Sequence, residues 1–95
     1  MDDTTLSDRL TDLAEQLTAT AERPVETTAS RWLGEAEAVA TDLADGDVDR
    51  EVAAERIGHV RRLLSEVEST GDETADEHVA EARAIADSVA SALQE

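Results

Sequence analysis

Ninety-five residues set the size of one domain, 1–95, and the lack of cysteine removes disulfides and thiolate chemistry. Twenty-four Asp and Glu face eight basic residues, all arginine, for a net charge of −16 at pH 7. That balance argues against a cationic nucleic-acid surface, and the apolar runs are too short to cross a bilayer. The chain opens on Met1, Asp2 and Asp3 instead of a basic leader, so the expected location is the cytoplasm. The acids are spread along the whole chain and interleaved with apolar positions, as on a solvated face and not as in a disordered tail or a metal sink. Such a surface suits molar salt, where the Debye length falls to about 3 Å and like charges are screened.

Apolar residues recur at steps of three and four in four successive segments, predicting four amphipathic helices. The first carries Leu6, Leu10, Leu13 and Leu17, with Thr5 and Asp8 spaced as a capping pair at its start. Pro24 follows, and it either starts the second helix or kinks a longer one formed by helices 1 and 2. The second seam reads Val25, Ala29, Trp32, Ala36, Val39 and Leu43, with Leu33 beside it. Asp45-Gly46-Asp47 offers a glycine stop and then an N-cap. The third seam is Ala53, Ile57, Val60, Leu64 and Val67, widened by Val52 and Leu63. Thr70-Gly71-Asp72 repeats the stop-and-cap device before Ala75, Val79, Ala82, Ala86, Val89 and Leu93, with Ile85 alongside. Short connections favour antiparallel neighbours, so the expected fold is all-α, an up-down-up-down four-helix bundle. Abundant alanine and a single aromatic predict a thin core, which makes a homodimer the expected state.

The chemical inventory is sparse. Ferritin-like bundles place a Glu three residues before each ligand His, but Arg56 and Ala75 stand three before His59 and His78. Glu55, four before His59, offers at most a surface ion a second ligand. Helical nucleotide pyrophosphohydrolases hold magnesium with E-x-x-E and, further on, E-x-x-D; Glu73 and Asp76 match the second half, and the first half is missing. With no Cys, Lys, Tyr or glycine-rich phosphate loop, the expectation is a non-enzyme with no catalytic residues, metal or cofactor. A metal-dependent nucleotide hydrolase is the weakest alternative.

Contact residues are easier to nominate. Trp32 is the only aromatic, follows Arg31 and has Gly34 nearby to permit close approach. A Trp on a helical seam also serves as a core residue, so both roles stay open. Arg50, Arg56, Arg61 and Arg62, half of all positive charges, lie on the third helix. Trp32, Arg31, Arg56, Arg61 and Arg62 are therefore the candidate interface, facing an acidic partner or a second copy, although ion pairing inside the chain accounts for the arginines equally well.

The stretches Ala21-Glu22-Arg23-Pro24-Val25-Glu26, Ser30 to Glu37 and Gly58-His59-Val60-Arg61 resemble a family of uncharacterised small acidic helical proteins of haloarchaea. The resemblance spans nearly the whole chain and implies a halophilic origin, with no activity to carry over. Leu43-Ala44-Asp45-Gly46-Asp47 is similar to an acidic inter-helix turn in the small subunit of exonuclease VII, which implies an accessory role beside a nuclease or another enzyme. The leading expectation is a helical protein–protein interaction module, with self or an unidentified protein as partner.

Overall fold

The structure, a computed structural model, describes residues 1–46 and 49–94. Four helices follow in order: α1 (Asp3–Ala21), α2 (Thr27–Asp45), α3 (Arg50–Ser65) and α4 (Glu73–Leu93). Each packs against its two neighbours in a ring, α1 on α2 and α4, and α3 on α2 and α4, so the diagonal pairs stay apart. The result is a four-helix bundle measuring 36 × 19 × 18 Å. Successive helices run in opposite directions: Arg50 at the start of α3 meets Ala92 at the end of α4, and Arg23 just past α1 meets Asp72 just before α4.

Side-chain size explains how a core with no buried aromatic closes. The diagonal helices α1 and α3 bury Leu10, Leu13, Leu17, Ile57, Val60, Leu63 and Leu64, whereas α2 and α4 bury mostly alanine, including Ala36, Ala40, Ala82 and Ala86. Every packed pair thus sets a bulky helix against a small-residue helix, which lets axes approach while the larger side chains fill the centre.

The helix ends correct several expectations. Asp2, not Thr5, caps α1: its carboxylate accepts the Thr5 amide at 2.7 Å, and that hydrogen bond holds the Asp2 carboxyl below its ordinary value. Pro24 neither starts α2 nor kinks a long helix. Residues 22–26 form a turn, because Pro24 forbids helical geometry at Arg23 and the chain resumes its helix only at Thr27. Asp49 caps α3 through the Val52 amide at 2.9 Å, while Asp47 lies outside the described residues. Gly71 does not stop α3, which ends at Ser65; its φ of +81° lets the later turn reverse without strain.

One end of the bundle is fastened by a network around Thr70, which is completely buried. Its carbonyl accepts the Glu26 amide at 2.7 Å, tying the two turns together. Its amide donates to Asp76 Oδ1 at 2.8 Å, and its hydroxyl lies 2.8 Å from that same oxygen and from the Asp72 carbonyl, with one proton to give. Beside it, Arg23 grips Asp72 with two hydrogen bonds of 3.0 and 3.1 Å, and Asp72 also accepts the Ala75 amide as the α4 cap. The Arg23 guanidinium, and after it the Ala75 amide, hold the Asp72 carboxyl below its ordinary value, while the hydrogen bond to Asp72 raises Arg23 above its own. A lowered carboxyl stabilises the fold above its unfolded value, and that contribution disappears as pH falls through the lowered one. Asp72→Ala should therefore melt a few degrees below wild type at neutral pH, and thermal scans of the two should converge as pH drops below the carboxylate range.

Arg83 of α4 closes the end of α3. Its guanidinium donates to the Leu64 carbonyl at 2.7 Å, which also accepts the Val67 amide at 3.2 Å, and to the Val67 carbonyl just past the helix end. Arg83→Met keeps the aliphatic stem and removes the donors, and should lower stability by about 1–2 kcal/mol in urea unfolding. An unchanged midpoint would show that water replaces the guanidinium without cost.

Candidate interaction surface

The four helices differ in charge. Helix α3 has four arginines against two glutamates and a net +2; α1 and α2 each have one arginine against four acids, and α4 has one against five. The structure then divides the α3 arginines by direction. On the α4 side they are used within the chain. Arg50 donates to the Ala92 carbonyl at 3.2 Å, and Arg61 pairs with Asp87 at 2.9 Å, a half-exposed contact worth about 0–1 kcal/mol. Arg61 is thus an internal pairing residue and leaves the candidate interface.

The side of α3 turned away from α4 is different. Val52, Glu55, Arg56 and His59 line one shallow depression there, and Arg62 closes its outer edge while also lining the groove against α4. Among the described residues Arg56 and Arg62 make no ion pair, and both are exposed, as is His59. Opposite them, α2 presents a flank of its own. Thr41, Ala44 and Asp45 line the groove against α1, so by helical rotation Trp32 and Val39 fall on the other flank, toward α3. Both are half-buried against the core.

That placement corrects the α2 seam. The inward line is Ala29, Leu33, Ala36, Ala40 and Leu43; Leu33 is 2% exposed and occupies the core position expected for Trp32. An indole would not fit between axes held close by alanine, whereas at the α2–α3 edge it covers the core with one face and meets solvent with the other. Arg31 is exposed and points outward beyond this edge, and among the described residues no neighbouring helix comes within 4 Å of where a Gly34 Cβ would stand, so the close approach that Gly34 permits is not used there. The structure therefore brings Trp32 and Arg56 to the α2–α3 side, sets Arg62 on the outer face of α3 where it also lines the groove against α4, leaves Arg31 at the margin and removes Arg61. It adds His59, Glu35 and Asp42; the spacing of Glu35 and Asp42 from Val39, four before and three after, was the available signal.

His78 is half-buried, its Nδ1 2.7 Å from Gln16 Oε1, where it links α4 to α1. Among the described residues no three His, Asp or Glu side chains are grouped so as to hold a metal ion, Glu73 and Asp76 included. Among the described residues no helix is long and apolar enough to cross a membrane.

Fold and surface together define a small acidic four-helix bundle with one basic helix. A family model described as a domain of unknown function, DUF8152, matches residues 9–95, and the chain belongs to that family. No curated protein and no solved structure matches it.

Proposed function

We propose that this chain is a non-enzymatic protein–protein interaction module of a high-salt, haloarchaeal cytoplasm, and that the α2–α3 side is its contact surface. The observation that carries this reading is the charge of α3: it has a net positive charge in a chain of −16, and among the described residues its Arg56 and Arg62 make no ion pair while Arg50 and Arg61 are engaged by α4. Basic side chains held free beside a half-buried Trp suit an acidic protein partner, because opposite charges still attract at contact distance in screening salt and an aromatic supplies the buried area. The density of carboxylates and the use of arginine alone for positive charge support the high-salt setting.

The test is capture from a native lysate in molar potassium chloride with the full chain as bait. The double variant Arg56→Glu, Arg62→Glu should lose the captured species, while Asp8→Arg on the far side of the bundle should keep it. Capture that survives the α3 reversal, or fails equally with the control, would overturn the assignment of the surface. An accessory role beside an enzyme is the runner-up, and in the same experiment it predicts an enzyme activity that enters and leaves with the captured species.

A further inference from the structure

Taking the α2–α3 side as the contact surface, we infer that its occupant is a second copy of this chain, in a two-fold dimer where α3 of each protomer lies along α2 of the other. The two helices present matching stripes. Helix α2 offers Trp32, Glu35, Val39 and Asp42, spaced three, four and three; α3 offers Val52, Arg56, His59 and Leu63, spaced four, three and four. Glu35, Asp42, Arg56 and His59 are exposed, Trp32, Val39 and Val52 are half-buried, and Leu63 is buried beneath them. No hydrogen bond or ion pair among the described residues joins the body of α2 to that of α3, in contrast to the α3–α4 seam with Arg50, Arg61 and Arg83. The polar groups of both stripes are available to another molecule.

Electrostatics selects the geometry. Two copies meeting through this side can be related by a two-fold axis across the helices or along them. The first sets α3 on α3 and α2 on α2, so Arg56 and His59 face their own copies and acids face acids. The second sets α3 on the partner's α2, bringing net +2 against net −3 twice. Heights agree as well. Helix α2 ends at Asp45 and antiparallel α3 begins at Arg50, which places Arg56 about level with Val39. An axis along the helices preserves height, so Arg56 falls between Glu35 and Asp42 of the partner subunit, each about one turn or less away along the helix. This arrangement closes at two copies and leaves the acidic α1–α4 side outward, where its charge opposes further association.

The experiment is size-exclusion chromatography with light scattering in 1 M potassium chloride, on wild type, Arg56→Glu, Asp42→Arg and an equimolar mixture of the two variants. Wild type should have the mass of a dimer. Each variant alone sets like charge against like charge at both symmetry-related contacts, so its dissociation constant should rise roughly tenfold or more. The mixture pairs Glu at 56 with Arg at 42 and should recover a dimer containing one of each. Among the described residues neither side chain makes a hydrogen bond, so both variants should keep the wild-type circular dichroism spectrum; Glu35→Arg stands in for Asp42→Arg should that variant misfold. A monomeric wild type, variants that dimerise undiminished, or a mixture that stays monomeric would each overturn the second-copy dimer. A monomer whose capture of an acidic protein is still lost on α3 reversal would sink this dimer alone and leave the contact surface standing.

Discussion

Leu17→Ala should lower the unfolding free energy by about 2–5 kcal/mol, among the largest effects expected from a single core truncation in this bundle. Leu17 is completely buried on α1, between helices whose inward faces are mostly alanine. Alanine cannot move in to fill the hole, and axes already held close have little room to collapse further, so most of the cavity should persist. A domain of this size gains only about 5–15 kcal/mol from folding altogether, and each kcal/mol corresponds to roughly 4–8 °C in melting temperature. The melt followed by circular dichroism in molar salt should therefore fall by roughly 10–30 °C. Leu6→Ala, at a half-exposed position on the same helix, should cost much less. Equal effects at both positions would show that the core relaxes freely and that the alternation of bulky and small helices does not hold it open.

The second large effect is that of salt. With 16 net negative charges on a bundle 18–19 Å across, a Debye length of about 10 Å at 0.1 M lets carboxylates on neighbouring helices repel one another. Near 1 M that length is about 3 Å, and the repulsion is screened. The attractive pairs lose less, since Arg23–Asp72 and the helix caps act at contact distance. Stability should accordingly rise by roughly 2–3 kcal/mol between 0.1 and 2 M potassium chloride, a gain of roughly 10–20 °C in the melt. A melting temperature that is flat or falls over that range would contradict the reading of the acidic surface as an adaptation to high salt.

Helix number, order and most of the inward positions were legible in the sequence, because a strict step of three and four leaves one stripe to bury. The pairing of helices in a ring followed from short connections. Less legible was which of two adjacent apolar residues faces inward, as with Trp32 and Leu33, since both lie within the same helical sector and only the spacing of the axes decides between them. The caps at Asp2 and Asp49 were hidden by an excess of acids, any of which has the chemistry of an N-cap. For the surface, the sequence showed that α3 is rich in arginine but not which arginines its neighbours would consume. Arg61 and Asp87 are 26 residues apart, and that pairing exists only once α3 and α4 are packed. The reach of Arg83 back to the end of α3 was equally invisible, because helix-end carbonyls carry no mark in a sequence.

Trp32 supplies the most direct test of the account, being the only aromatic residue and lying on the α2–α3 side itself. Its fluorescence should be recorded in 2 M potassium chloride across a concentration series, alongside the molar mass from light scattering. If the α2–α3 side is the contact surface, the emission of the half-exposed indole should shift to shorter wavelength in step with the rise in mass, or on addition of a captured partner. A rise in mass with unchanged Trp32 emission would place the contact elsewhere on the bundle and contradict it.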